Sequence, residues 1–352
     1  MRSIRPVRIS FLATATLLAL WLILCPVAWP QSQPSLTLIR EGQQALQADD
    51  FANAASYFER ARQLAPENLE VNRGLLLSYL QLGRLDEAQS LGQTAVVRWP
   101  KDAQLQHWLG LVYFKKAQHS TALAWLQRSA SLDGTQYDVH FDLALVLLSD
   151  ANYSVAADEL EKAIKLDPKP ALAHVLLGRA YQNTNRTVQA VEQFQLALRL
   201  EPGVSLGHYH LGFAYASLGR NRDAIAEYEK ELLHSVNNPA VLYQLGHCQL
   251  EAGDGKSAIE HLQRAAELDP KNPDAAYDLG KALLLQGDTE GALLWLHRAV
   301  ELSPENPSPH YQLARLLQKT GKKEEAEREL ATFAALKKTQ PVTGGMATGA
   351  VP

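Results

Sequence analysis

The stretch VLLGRAYQNTNRTVQAVEQFQLALRLEP, residues 175–202, decides the fold. Apolar and small residues recur in it at helical spacing twice, first at Leu177, Gly178 and Tyr181, then at Ala190, Phe194 and Ala197. Pro202 stops the second run. The spacing predicts two short helices joined by a turn. A single helical hairpin is too small to bury its own apolar face, so its neighbours must complete it.

The neighbours repeat it. Written in blocks of 34 from Ser35, the chain gives nine blocks, starting at 35, 69, 103, 137, 171, 205, 239, 273 and 307, with no insertion or deletion. The twentieth place is Ala in all nine: Ala54, Ala88, Ala122, Ala156, Ala190, Ala224, Ala258, Ala292 and Ala326. The seventh is Leu from Leu75 onward, and the eighth is small in most blocks, as in Gly42, Gly110, Ala144 and Gly178. Pro66, Pro100, Pro168, Pro202, Pro270 and Pro304 close six blocks. Gly83, Gly219, Gly253, Gly287 and Gly321 fall at the break between the helices, where glycine ends a helix in the left-handed conformation. Small residues at the facing places let the two helices approach closely, and stacked hairpins share a continuous core.

This period disposes of a nucleotide site. LEAGDGKSA, residues 250–258, ends in the Gly-Lys-Ser of a phosphate-cradling loop. That loop requires a further Gly where Leu250 stands, and a strand before it. Ala258 belongs instead to the all-Ala column and Gly253 to the turn column, so the segment is one more hairpin turn.

Nine copies of a 34-residue helix–turn–helix with this Leu-Gly/Tyr/Ala/Phe/Ala/Pro pattern resemble the tetratricopeptide repeat, and residues 175–202 are the closest single copy. The resemblance covers Ser35 to about Gln340. It implies an all-α, right-handed α-solenoid whose first helices line a concave groove, and a role in holding peptides or protein partners. The Lys/Asn/Arg clamp of chaperone-binding members has no matching Asn set here, and the groove Asn ladder of the glycosyltransferase-linked arrays is absent as well. Two further departures stand out. Gly92 replaces a large second-helix residue. Block six lacks its closing Pro and carries Glu231 where the core takes Ala; a carboxylate there reads as a kink, a partner contact or, most simply, a side chain that reaches water.

Composition narrows the function. The chain has 352 residues, 46% of them hydrophobic, and a net charge of −4. An acidic balance argues against non-specific nucleic-acid binding. Two cysteines, Cys25 and Cys248, make no disulfide framework, and Cys248 stands where other blocks have Ala180, Ala214 and Ala282, as a small buried residue. Residues 1–30 read as a signal peptide or signal anchor: Arg2, Arg5 and Arg8 precede the uncharged run Ile9–Trp29. Cleavage, retention as an anchor over residues 9–29, and lipidation at Cys25 all stay open. In each case the Arg-rich flank remains in the cytoplasm and the rest is exported, to a periplasmic or extracellular location. Residues 31–34 form a link, 35–340 the nine repeats, and 341–352 a disordered tail.

No catalytic constellation, cofactor motif or metal set emerges. His140, His174, His208 and His310 share one place in their blocks, but zinc requires three or four ligands around one ion and no Cys or acidic cluster accompanies them. They read as half-buried residues that pair helices. The candidate partner site is the first-helix face. Its fifth place holds Tyr209, Tyr243, Tyr277 and Tyr311, and its ninth holds Phe213, His247, Lys281 and Arg315. A tyrosine row with one edge in solvent, beside increasing basic character, suits a protein or peptide segment with acidic or aromatic features. Earlier blocks place Leu77, Leu111, Phe114, Phe141, Leu145 and Leu148 on that face, which suits an apolar segment. The leading functional reading is a non-catalytic exported scaffold supporting assembly of an envelope complex. The alternative is a regulatory or substrate-presenting subunit of an envelope enzyme or of polysaccharide or pilus export machinery. Oligomeric state is not legible. The final helix, about Lys323 to Lys338, is expected to cap the array, because Glu327 follows its Ala where inner blocks usually have an apolar residue, as at Leu123, Val191, Ile225, Ile259 and Leu293.

Overall fold

A computed structural model describes residues 34–339. Those residues form eighteen helices and no strand. The leader expected over residues 1–30, with Cys25, and the tail after 340 lie outside the described residues. Among the described residues no helix is long and apolar enough to cross a membrane. The first helices of the nine blocks are α1 (Pro34–Gln47), α3 (Leu69–Gln81), α5 (Ala103–Lys115), α7 (Tyr137–Ser149), α9 (Ala171–Asn183), α11 (Gly207–Ser217), α13 (Pro239–Glu251), α15 (Pro273–Leu285) and α17 (Pro307–Lys319). The second helices are α2 (Phe51–Leu64), α4 (Leu85–Arg98), α6 (His119–Leu132), α8 (Tyr153–Leu166), α10 (Thr187–Leu200), α12 (Asn221–His234), α14 (Gly255–Leu268), α16 (Thr289–Leu302) and α18 (Lys323–Thr339). The described residues divide into two compact units at Val112/Tyr113. Every candidate site residue lies in the second.

The columns have clear physical causes. All nine alanines of the twentieth place are fully buried. The eighth place is small because the large residue of the partner helix sits on it. A Cβ built on Gly178 would lie 2.5 Å from the Phe194 ring, one on Gly212 2.9 Å from Tyr228, and one on Gly246 2.6 Å from Leu262. Block two inverts the pair. Leu76 stands at the small place and Gly92 opposite it, and a Cβ on Gly92 would lie 3.4 Å from Leu76 Cδ1. The same Cβ would lie only 2.9 Å from Leu109 Cδ1 on the next first helix, so Gly92 leaves room for Leu76 and, more tightly, for Leu109.

The turn is one structure used nine times. The second residue after the first helix is left-handed in every block: Gly83, Gly219, Gly253, Gly287 and Gly321, but also Asp49, Ala117, Ala151 and Asn185, with φ of 54–60° in the last four. Each turn closes with an N–H donated back to the carbonyl five residues earlier, as from Asn152 to Leu147 O and from Asp254 to Gln249 O. At 250–258, Asp254 caps α14 by accepting from Ser257 N–H, with no strand before it.

Two further devices tie blocks together. Asn72, Gln106, His140, His174 and His310 share the fourth place. Each donates a side-chain N–H to the carbonyl six residues earlier, in the bend between blocks: Pro66, Pro100, Gly134, Pro168 and Pro304. The other ring nitrogen of His140 lies 2.6 Å from Glu159, and that of His174 lies 2.8 Å from Gln193, on the second helix of the same block. The histidines therefore pair helices, as their position suggested. In addition, Tyr79 and Arg84 both donate to Glu59 on the preceding second helix, with the guanidinium 4.2 Å over the ring. Burial and the Glu59 contact push the Tyr79 hydroxyl up to about 12. Tyr181, Arg186 and Glu161 repeat the arrangement in part, with the Tyr181 hydroxyl bonded to Glu161 and the guanidinium 3.9 Å over its ring.

Block six departs as its sequence does. Leu206 is left-handed at φ 58°, and α11 has 11 residues where most other first helices have 13. Glu231 does not reach water: it is buried, and its carboxylate accepts the N–H of Tyr209 at 3.2 Å, in the first turn of α11. A carboxylate at a helix N-terminus meets free N–H groups and the positive end of the helix dipole. That explains an acid where most other blocks have Ala. At the far end, only Ala326 of α18 is buried, and Glu327 and Arg328 face solvent.

The exposed left-handed Ala151 should carry strain of about 1–2 kcal/mol that glycine lacks, partly offset by glycine's greater unfolded-state freedom. Ala151→Gly is therefore expected to stabilise by roughly 0.5–1 kcal/mol and Gly253→Ala to destabilise by about 1 kcal/mol. Urea unfolding followed by circular dichroism reads both, as opposite shifts in midpoint.

Candidate functional site

The first-helix face of blocks six to nine takes its side chains from positions four residues apart on α11, α13, α15 and α17, which share one face of a helix. The four tyrosines do not share one environment. Tyr209 is 7% exposed, Tyr243 and Tyr277 are half-buried, and Tyr311 is 39% exposed. Tyr209 thus offers no open edge. It is turned into the core, 6.0 Å from the Tyr228 ring and 5.4 Å from His210, because the short α11 and the Glu231 contact seat its backbone deeper. Burial raises its hydroxyl pKa. Phe213, half-buried one turn on, packs against the same core. Tyr243 packs against two core clusters, and Tyr277 against the cluster that includes Leu313 and Leu317. Tyr311 lies 5.0 Å from the Phe333 ring of the last helix.

The basic residues are mostly engaged. His247 Nδ1 lies 2.7 Å from Asp278, a buried carboxylate on the next first helix. The Lys281 ammonium is 3.3 Å from Asp278, 3.6 Å from Glu251 and 5.4 Å over the Tyr277 ring. Burial pulls its pKa down, but Asp278, Tyr277 and Glu251 together hold it above the ordinary lysine value. Only Arg315 on α17 stays exposed, with its guanidinium 5.8 Å over Tyr311. The face therefore offers a partner Tyr277, Tyr311 and Arg315 most openly. Sequence spacing placed all eight side chains on one face and missed Asp278 and Glu251. The signal was present in the 30–31-residue separation that brings neighbouring first helices together.

Cys248 is buried, and its thiol is pushed up to about 12, first by burial and then by Glu251. A thiol held protonated is a poor nucleophile. Among the described residues no group of three or more His, Cys, Asp or Glu side chains is placed to hold one metal ion.

Models of the tetratricopeptide repeat match residues 45–107, 141–205, 209–273, 243–307 and 283–341. Together they span most of the chain, and the protein belongs to the tetratricopeptide-repeat family. Among curated proteins none matches the sequence. A chain of the APC/C hetero-tetramer Cut9-Hcn1 is similar in structure at 20% identity and TM-score 0.53, covering 76% of this chain and 52% of that one, so the match spans about half of it. PilW, a type IV pilus biogenesis factor, is similar at 21% identity and TM-score 0.52, covering 58% of this chain and 94% of that one. YrrB, a tetratricopeptide protein with an unusual peptide-binding site, shares 22% identity over 56% of this chain and 97% of its own, with TM-score 0.47. At these identities the likeness to the first two establishes the fold alone.

The hydrogen bond to Asp278 raises the pKa of His247 against the opposing effect of burial. A raised folded-state value means that this pair's contribution is fully present below the ordinary imidazole value of about 6.5 and fades as pH rises through the raised one. Asp278→Asn should bring the His247 titration down, read by NMR of the ring in the folded protein. An unmoved titration would assign the raised affinity to another neighbour.

Proposed function

We propose that this protein is a non-catalytic scaffold that holds a protein or peptide segment on the first-helix face of blocks six to nine. The observation that carries this reading is the run of open aromatic surface at Tyr277 and Tyr311, with the exposed Arg315 beside the latter. Half-exposed aromatics and arginine are the residue types enriched in protein interfaces and among their hot spots. Tyr243, His247 and Phe213 extend the contact as its less accessible floor, and Tyr209 supports it from the core. Lys281, already paired, sets the local field more than it supplies a free charge. We further propose that the repeats work outside the cytoplasm, behind the Arg-rich leader, in assembly of an envelope complex. Support for that comes from the leader sequence alone.

A photo-crosslinking amino acid placed at Tyr311 should capture a specific partner from the producing cell's envelope fraction, and the same group at the second-helix position Trp125 should not. Tyr277→Ala combined with Tyr311→Ala should weaken capture by tenfold or more, since a hot-spot aromatic is worth about 2 kcal/mol, with helicity unchanged. Equal capture from both positions would move the site off this face. For location, an alkaline phosphatase reporter fused after Gln340 should be active; an inactive phosphatase with an active cytoplasmic reporter at the same point would refute export.

A further inference from the structure

Neighbouring first helices in the second unit meet in a fixed register. The ninth place of one approaches the sixth place of the next, 31 residues on, as His247 meets Asp278. From block four to block nine those places hold Leu145 with Leu176, Arg179 with His210, Phe213 with Gln244, His247 with Asp278, and Lys281 with Gln312. Only the seam between blocks seven and eight sets a base against an acid. A second tie crosses that seam in the other direction, from Lys281 on α15 to Glu251 on α13 at 3.6 Å. Asp278 joins the two ties. One of its oxygens lies 2.7 Å from His247 Nδ1, and the other lies 3.3 Å from the Lys281 ammonium on its own helix.

The groups differ in how they meet water. The Asp278 side chain is 6% exposed, so its charge has to be balanced within the protein. The Glu251 side chain is half exposed and can turn to solvent, and the His247 ring, 38% exposed, can exchange its proton with it. Asp274 on α15 and Tyr243 on α13 complete the charged and titratable surroundings of the ring. Tyr209 on α11, Tyr228 on α12 and His261 on α14 meet Tyr243, Cys248 and Gln249 of α13 instead. With its second proton, His247 shares with Lys281 the task of balancing Asp278. Without it, Lys281 carries that task alone. A neutral imidazole still donates to a carboxylate, but a charge-assisted hydrogen bond is about twice as strong. The ammonium already lies nearer to Asp278 than to Glu251, and moving fully onto Asp278 breaks the Glu251 tie. Loss of one proton therefore weakens both crossings of the seam.

We propose that His247, Asp278, Lys281 and Glu251 form a proton-operated clasp between the first helices of blocks seven and eight, closed while His247 carries its second proton and loosened when it does not. Asp278 raises the His247 pKa. The clasp is therefore closed below the ordinary imidazole value of about 6.5 and loosens as pH rises through the raised one. Its two helices carry Tyr243 and Tyr277, so it sets the spacing of those rings and couples the face to pH. That coupling rests on the reading that a partner segment lies on this face; the clasp itself does not.

The test uses the full chain and no partner, so it succeeds or fails apart from capture at Tyr311. Nitroxide labels are placed at Ser217 on α11 and Lys319 on α17, exposed residues at the same end of their helices that flank the seam. Cys25→Ser and Cys248→Ala leave these as the sole label sites, and alanine is what other blocks hold at the place of Cys248. The distance between labels is measured by pulsed electron resonance from about pH 5.5 to about pH 8.5, which brackets the imidazole range. The His247 ring is titrated by NMR in the same protein and assigned with His247→Gln. The distance is expected to lengthen and broaden as pH rises, with the midpoint of the ring titration. His247→Gln should hold the longer distance throughout, and Asp278→Asn should remove the pH response, both with helicity unchanged. A distance that stays fixed while the His247 ring titrates would overturn the clasp, as would a pH response that persists in His247→Gln.

Discussion

The close approach of two helices at a residue without a side chain governs this structure. Where Gly178 meets Phe194 there is no room for a single extra carbon, and the same holds at Gly212 and Gly246. That contact fixes how far apart the helices of a hairpin lie. It thereby fixes where the fully buried alanines of the twentieth place sit and which side chains remain on the outer face of each first helix. At block two the large residue is Leu76 and the glycine is Gly92 on the second helix, which makes room for Leu76 and for Leu109 of the next block. Interiors packed at crystal-like density behave this way.

The parts of the structure that repeat were legible in the sequence, and the parts that occur once were not. The period of 34 and the all-Ala column average over nine copies and the Leu column over eight, so they report the fold with little ambiguity. The left-handed turns were legible at five glycines and hidden at Asp49, Ala117, Ala151 and Asn185, because there the surrounding geometry overrides local preference. Glu231 was visible as a misfit, but its role depended on the shortened α11 and the left-handed Leu206, which exist only after folding. Tyr209 looked equivalent to Tyr243, Tyr277 and Tyr311 by spacing. Its burial is a consequence of that same local defect.

Charge on the first-helix face shows a related division. Spacing within one helix identified His247, Lys281 and Arg315 as neighbours of the tyrosines. It did not single out Asp278 and Glu251, which reach across from one first helix to the next, to His247 and Lys281 respectively, and neutralise much of that charge. Local periodicity reads a face, whereas electrostatics depends on the register between faces. Once the 31-residue offset is known, each seam becomes a short text of its own: His with Asp between blocks seven and eight, Arg with His between five and six. The repeats are alike in what packs them and individual in what they present.

The unbroken 34-residue spacing also has a genetic meaning. A helix turns by about 100° per residue, so losing one residue inside a helix swings everything after it to another face. Losing 34 returns every later side chain to a place prepared for it. Unequal recombination between two blocks can therefore lengthen or shorten such a protein in whole units without disturbing the packing. The seams are not interchangeable, however. A recombinant that lost block six, so that block five ran straight into block seven, would set Arg179 against Gln244 in place of His210, and would change the chemistry of the face while leaving the architecture intact. In such an array, recombination in whole blocks tests new surfaces against an unchanged core.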